Sequence, residues 1–486
     1  MKKCLLTLGF LASFVMAPAW SQESASPPLT PQTAVETEEQ MVRETICPAM
    51  QNDDTYKSKA TMFYKKIVAG DDGWVFRTIT DFRTDFQLLP KSVTYMKQLQ
   101  RTFEAQGIKF VYLIPPTRGI ANGEHATGDD AESKQFQKDR AKARANYQSM
   151  INLLKGEGLN VIGFPDLTDG KAYFYKRDHH WNPEGAKLAA QRVADFLKGT
   201  PVYPTLAKTS YVTKDKGAYD YTGPFGEIVQ PICKLYLMAE QTNKFETEIS
   251  GGASDDKALF DEKPFPEVVL VGTSNSAADP SVANFEGFLK EALQTDIYNV
   301  SIIGAGIDTP LLAYLNSKAF REHKPKVIIW ETPGYYDMNV WHSRIYRQGI
   351  PAVIGDCAGS AVAEQKAVPV TGNKMNVLQG IAGKKIEDSP YYASIQFSKP
   401  VKKAVTITFN YRNWNEEYRI NRSPRYTPDG SFYMNLKDAN AGPLTSLSIQ
   451  APADLGEGVT MDVRICKMPA GTVIANEGKG SGKKSK

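Results

Sequence analysis

Val268-Val269-Leu270-Val271-Gly272-Thr273-Ser274-Asn275-Ser276 is the stretch that decides the fold. Four consecutive apolar residues, three of them β-branched, describe a short strand buried on both faces, as in a parallel sheet. The run stops on glycine and small hydroxyl residues, and a helical pattern follows at 284–293. A strand, a tight turn and a helix expose Ser274 above the carboxyl edge of the sheet. Reactive groups of α/β proteins gather there.

The same alternation extends outward in both directions. Helical periodicity at 92–105, 138–155, 183–197 and 310–317 alternates with short β-rich runs at 108–114, 159–164, 297–303 and 326–331. This predicts an α/β layered domain with a mostly parallel sheet. Residues 22–45 read as an extended lead-in, and 201–260 as an irregular insertion tethered through Cys233. After about residue 345 the pattern changes. Runs at 391–397, 405–411, 431–436, 444–450 and 459–466 are alternating or β-branched and separated by turn residues, which predicts an all-β sandwich. The expected division is 1–21 signal peptide, 22–345 α/β domain, 346–475 β-sandwich and 476–486 disordered basic tail.

Lys2 and Lys3 precede an apolar run at 4–20, and Ala19-Trp20-Ser21 supplies small residues at a cleavage site. This reads as a cleaved signal peptide, too short and too proline-interrupted for a membrane span. Export to the periplasm follows. Four cysteines remain after cleavage, which in an oxidising compartment favours disulfides over free thiols. Pairing Cys47 with Cys233 and Cys357 with Cys466 keeps each bridge inside one expected domain. The formal net charge of +4 over 486 residues gives no footprint for nucleic acid. A monomer without cofactor is expected.

The densest constellation is Arg177-Asp178-His179-His180-Trp181-Asn182-Pro183, just before the 183–197 helix. A histidine base needs an acceptor that fixes its tautomer, and Asp178 two residues away can supply it. Adjacent His179 is expected to point elsewhere. Two other readings use the same residues: an N-cap turn with Asp178 as the cap, and a His-His-Asp metal site. A serine hydroxyl is a poor nucleophile until a base takes its proton. His180 is the candidate base for Ser274, and no metal is required. The turn's own N–H groups, with Gly272 among them, are oxyanion candidates. Thr117, Arg118, Glu331, Tyr335 and Tyr336 follow other strands and are softer candidates to line the cleft.

In the β region, Asn410, Arg412 and Trp414 would share one face of a strand, with Arg419 and Arg422 extending the positive charge. An aromatic plane beside a guanidinium suits a sugar bearing a carboxylate. A solvated face with one partly buried tryptophan is the bland alternative.

The signal peptide, Gly73-Trp74-Val75-Phe76, Asp178-His179-His180-Trp181, Gly272-Thr273-Ser274 and the two cysteine pairs together resemble the AlgX family of alginate biosynthesis proteins. The resemblance covers essentially the whole mature chain. It implies an SGNH-hydrolase-like acetyltransferase domain followed by a carbohydrate-binding β-sandwich. Its catalytic Asp, His and Ser fall on Asp178, His180 and Ser274, in an order permuted from ordinary SGNH enzymes. The oxyanion residues of SGNH enzymes match less clearly, with Asn299 and Gly304 as candidates. The implied activity is O-acetylation of mannuronate hydroxyls in alginate, with other alginate biosynthesis and secretion proteins as partners. A polysaccharide acetylesterase and a non-catalytic polysaccharide-binding component are the alternatives.

Overall fold

The Val268–Val271 strand lies second from one edge of a five-stranded parallel sheet. In spatial order the strands are Val161–Ile162, Lys109–Leu113, Val327–Glu331, Val268–Val271 and Ile297–Asn299. The computed structural model describes residues 31–472 apart from 165, 168–169, 251–263, 279–282, 340–343, 385, 387–389, 423–428 and 437–441. The expected signal peptide and basic tail lie outside the described residues. No helix among those described is long and apolar enough to cross a membrane.

The chain first lays strands outward on one side of the sheet, crosses to build the other side, and returns with Val327–Glu331 to the middle. A crevice forms at the carboxyl ends where such a sheet changes direction. Register brings Leu113 opposite Glu331, and Val271 opposite Trp330. The loops after these three strands therefore meet at one place. Helices Pro90–Glu104, Ala131–Gly156, Pro183–Lys198 and Phe285–Leu293 flank the sheet. Their apolar stripes join its two faces in one core.

Three expectations for this half are corrected. The lead-in is not extended throughout, because Pro31–Thr45 is helical. The Ile297–Asn299 strand is shorter than expected, since Val300 and Ile302 donate past it to Leu270 and Gly272 from irregular backbone. The described part of the 201–260 insertion, up to residue 250, is not irregular either. Tyr211–Tyr221 and Glu240–Ile249 pair as a two-stranded antiparallel arm, with the helix Pro224–Cys233 between them. The arm is polar on both faces and largely exposed, so hydrophobic periodicity could not reveal it.

The β-region forms two four-stranded antiparallel sheets around a second core that includes Ile407, Phe409, Phe432, Val463 and Ile465. The five expected strands are present. Three more, Ala363–Pro369, Lys374–Leu378 and Asn415–Ile420, escape the sequence pattern. Each is an edge strand, and each carries charge, Glu364 and Lys366 on the first, Lys374 on the second, and Glu416, Glu417 and Arg419 on the third, which blunts an exposed edge. The helix Ile345–Ile354 opens what was expected to be the β-domain, yet Ile345, Tyr346, Ile350 and Val353 pack into the first core. Burial thus carries the α/β unit past the expected 345/346 division.

Both disulfides form as paired above, Cys47–Cys233 and Cys357–Cys466, with Cα separations of 5.5 and 5.8 Å. Closing a loop of this size is worth up to about 5 kcal/mol through the unfolded state. Cys47–Cys233 ties the arm's helix to the segment after the first helix. Cys357–Cys466 closes the β-unit beside the seam. Across that seam Arg347 forks onto both oxygens of Glu416 at 2.7 and 2.8 Å and donates to Asn435 O.

Candidate active site

The strand-to-helix turn after Val271 is held from below by one buried carboxylate. Glu331 accepts from Thr273 N at 2.7 Å, Thr273 Oγ1 at 2.9 Å, Ser276 Oγ at 3.2 Å and Asn275 Nδ2 at 3.3 Å. A Cβ on residue 272 would come within 2.7 Å of both Glu331 Oε2 and Ser276 Oγ, so only glycine lets the turn sit on this anchor. Burial raises the Glu331 carboxyl above its ordinary value, while these four donors work against the shift. The result is a rigid turn with half-buried Ser274 at its crest.

The second turn is presented by a short hairpin-like segment. Phe174 bridges to Trp181, Tyr175 N donates to His180 O, and Asn182 N donates to Tyr173 O. Residues 177–180 form its tip. The following helix is capped by Asn182, whose side chain accepts from Gly185 N, with Pro183 at the first helical position. Asp178 is therefore not the cap. The two turns are locked together by Trp181 Nε1, which donates to Asn275 O at 2.9 Å.

At the junction, His180 Nε2 lies 2.7 Å from Ser274 Oγ. His180 Nδ1 lies 2.9 Å from both oxygens of Asp178. An Nδ1–H tautomer satisfies the carboxylate and leaves Nε2 as the acceptor for the serine proton. Asp178 is fully buried. Burial alone would raise its carboxyl, but the adjacent His180 and His179 outweigh this and hold it well below the ordinary carboxylate value. Its Oδ1 also accepts from His179 N at 2.5 Å, and its Oδ2 from the Tyr221 hydroxyl at 2.5 Å.

His179 does not point elsewhere. Its ring packs against His180 at 3.9 Å between centroids and is edged by Phe63 and Tyr64. Burial, followed by His180 and Arg77, pulls its pKa down to about 3, so it is neutral. Ligand atoms of Asp178, His179 and His180 lie within 4.8 Å of one another, the spacing a metal could use. In this arrangement the Asp178 oxygens and His180 Nδ1 are already spent on each other and on Tyr221.

Arg118, a soft candidate for the cleft, has a different place. It is buried and donates to Val75 O, Tyr175 O, Lys176 O and Asp81, strapping the Asp178 turn to the core. Arg177 donates to Met238 O and Ala239 O and pairs with Glu38. Tyr221 carried no sequence signal, because nothing in its neighbourhood distinguishes it from any strand tyrosine.

The oxyanion candidates separate. Gly272 lies in the serine turn. The Asn299 carboxamide is committed to Ser276 O at 2.7 Å and Glu286 at 3.0 Å, so it braces the turn. Gly304 is exposed at φ +68° beyond the end of its strand.

The expected sugar-binding residues also separate. The strand Val405–Tyr411 ends before Arg412, and Tyr411 N donates to Trp414 O, so Arg412 and Trp414 occupy a hairpin turn rather than one strand face. Trp414 is 42% exposed. Asn410 remains on the strand and donates to Ser446 Oγ. Arg419, on Asn415–Ile420, lines a recess of about 300 Å³ at the seam with Asp308, Arg344 and Arg422.

Known proteins share this architecture. The family model for the SGNH hydrolase-like domain of the acetyltransferase AlgX matches residues 67–334, and that for a C-terminal carbohydrate-binding module matches 356–477. The alginate biosynthesis protein AlgX of Pseudomonas aeruginosa is 33% identical over 429 residues, covering 87% of this chain and 88% of that protein. The protein of the same name from Azotobacter vinelandii is 30% identical over 435 residues, covering 87% and 88%. The probable alginate O-acetylase AlgJ of Pseudomonas aeruginosa is 29% identical over 290 residues, 56% of this chain and 70% of its own length. A solved structure of Pseudomonas aeruginosa AlgX superposes with a TM-score of 0.74 at 32% identity, covering 87% of this chain and all of that one. The chain therefore belongs to the AlgX family, with an SGNH hydrolase-like domain followed by a carbohydrate-binding module.

Proposed function

We propose that this chain is a periplasmic O-acetyltransferase that esterifies hydroxyls of mannuronate residues in alginate. The observation that carries this reading is the relay from Asp178 through His180 to Ser274, at 2.9 and 2.7 Å. His180 Nε2 takes the Ser274 proton as Oγ attacks the acetyl carbonyl of a donor ester. The tetrahedral oxyanion falls beside the Ser274 turn, where the Ser274 N–H can stabilise it, those of Thr273, Asn275 and Ser276 being donated within the turn and to Glu331. On collapse the donor's leaving group departs with the proton from His180, leaving acetyl-Ser274. A sugar hydroxyl then attacks that ester, gives its proton to His180, and leaves as the acetylated sugar with Ser274 restored. Asp178 stays ionised throughout and stabilises the imidazolium formed in each half.

The carbohydrate-binding module would hold the polymer through Asn410, Arg412, Trp414 and Arg419, so that a sugar hydroxyl outcompetes water. Arg419 would act at the seam and the others at the hairpin. The relatives' names support a place in alginate biosynthesis and, with it, contacts to other proteins of that process. The sequence reading supplies export by a cleaved signal peptide, with the chain acting as a monomer.

The test is mass spectrometry of the mature protein with mannuronate oligomers and an activated acetyl ester, wild type beside Ser274→Ala. Acetylated oligomers from wild type, reduced at least about 10³-fold in the variant, support the transferase. Free acetate without sugar product points to an esterase instead. Equal product from both proteins rejects Ser274 as the nucleophile.

A further inference from the structure

We infer that Tyr221 is a positioning residue for acyl transfer: its hydroxyl fixes the rotation of the Asp178 carboxylate, and through it the aim of His180. This rests on the triad reading above. A carboxylate turns easily about its last torsion, whose wells are broad. To hold an imidazole in one plane, both of its oxygens must be anchored. Oδ1 is anchored from its own turn, through His179 N at 2.5 Å and His180 N at 3.3 Å, with the His179 and His180 Nδ1 atoms at 3.1 and 2.9 Å. Oδ2 receives His180 Nδ1, the group to be aimed, and one other donor, the Tyr221 hydroxyl at 2.5 Å. An ionised carboxylate only accepts, so the phenol must donate. Burial and the Asp178 charge push the Tyr221 hydroxyl far above its ordinary value, so it keeps its proton.

Tyr221 is itself held by the arm. Its ring stacks on Tyr175 at 4.3 Å. It is paired in register with Glu240, whose carboxylate accepts from Lys176 N and Arg177 N of the same turn. Two residues on, Gly223 lies so close that a Cβ there would approach Asp178 Cβ to 2.6 Å. The base of the arm thus contacts the Asp178 turn at its side chain, its backbone and its Cβ. On this inference the arm is an external brace for the general base. The titratable and charged groups around Asp178 are His179 and His180 on its own turn, with Arg118, Tyr64, Tyr175 and Tyr221 from packed elements. Only Tyr221 donates a side-chain hydrogen bond to the carboxylate from another element among the described residues.

Tyr221→Phe in the full mature chain removes one hydroxyl and keeps the stacked ring. With p-nitrophenyl acetate as donor, kcat should fall about tenfold, the loss of one hydrogen bond to a charged group, with KM little changed. The acid limb of the pH–rate profile should move to higher pH, because a carboxylate relieved of one donor holds the imidazolium more tightly. The low-field proton resonance of His180 Nδ1–H should shift. An unchanged kcat and acid limb, beside an inactive Ser274→Ala, overturns the role of Tyr221 and leaves the triad standing. An active Ser274→Ala removes the triad and the inference with it. Should the Phe variant not fold, the wild-type spectrum decides. A His180 Nδ1–H proton held by a fixed carboxylate resists solvent exchange, and one that exchanges freely overturns the inference.

Discussion

The turn carrying Asp178 and His180 and the hairpin turn carrying Arg412 and Trp414 are built on opposite plans. The first is buried, and its backbone carbonyls and amides are taken up by Arg118 and Glu240, which come from distant segments. The second closes on itself through Tyr411 N to Trp414 O and is tied by Arg412 N to Pro443 O, and the side chains of Arg412, Asn413 and Trp414 are exposed. Covalent chemistry tolerates little misplacement, so its groups must be over-determined by their surroundings. Gripping a long polymer asks instead for accessible faces on a stiff support. That support is present: Arg347 locks Glu416, two residues beyond Trp414, onto a helix of the first core.

The contrast is broken most directly at Arg118. Arg118→Ala leaves Asp81 with Arg77, so the lost salt bridge is partly replaced. The carbonyls of Val75, Tyr175 and Lys176 nevertheless lose a buried donor, and a cavity opens beside Trp74 and Phe76. The expected cost is about 3 kcal/mol or more, read by urea unfolding, with turnover lost in the protein that remains folded. A cost below about 1 kcal/mol would mean the Asp178 turn needs no strap, and the contrast would lose its basis.

His179 sharpens the comparison through pH. Its folded pKa of about 3 lies below the ordinary histidine value of 6.5. The unfolded chain therefore binds a proton that the folded chain refuses as pH falls from 6.5 toward 3, and stability declines over that window. Between pH 6.5 and 5 the decline from this group is about 2 kcal/mol. Asp178, held below its ordinary value, adds nothing there. Its contribution is present above pH 3.8 and is lost only below it. Glu331, raised by burial, pulls the other way by binding its proton earlier when folded. Subtracting His179→Gln from wild type, by thermal unfolding at pH 6.5 and 5, cancels both. A difference that does not change with pH would mean that His179 is free to protonate in the fold.

The two regions were also unequally legible in the sequence. Val268–Val271 announces a buried strand by composition, and Asp178-x-His180 before a proline-led helix announces a candidate base, because both signals are local. The partners are not local. Tyr221 and Glu240 come from an arm with no apolar face, and Arg118 follows a different strand. Their meeting is a product of sheet order, which strand patterns do not encode. In the β-module, the alternating pattern runs on through Arg412 to Trp414 although the strand ends at Tyr411, because a polar hairpin turn and a polar edge strand look alike in sequence. The edge strand that follows, Asn415–Ile420, is hidden in the sequence for the same reason. Charge patterning marks the residues but not their grouping: Arg419 shares the basic run after Trp414, yet it lines the seam.

Trp414 should show the smallest effect on the fold and a distinct one on binding. Its ring is 42% exposed and lies at 6.1 Å from Tyr411, tilted by 21°. Removing it opens no core cavity, so Trp414→Ala should change unfolding stability by no more than about 0.5 kcal/mol. If the hairpin supplies the aromatic platform for the sugar, titration calorimetry with mannuronate oligomers should show affinity falling about tenfold. Acetyl transfer to a small soluble acceptor should be unaffected, since the Asp178 turn is held by Arg118, Glu240 and Tyr221. The opposite pattern, a stability loss above about 1 kcal/mol with affinity intact, would make Trp414 a packing residue and move the grip to the Arg419 and Arg344 side of the seam. Either result separates holding the polymer from reacting with it, because the hairpin turn closes through Trp414 O and Pro443 O whereas the Asp178 turn is bound through Ser274 and Tyr221.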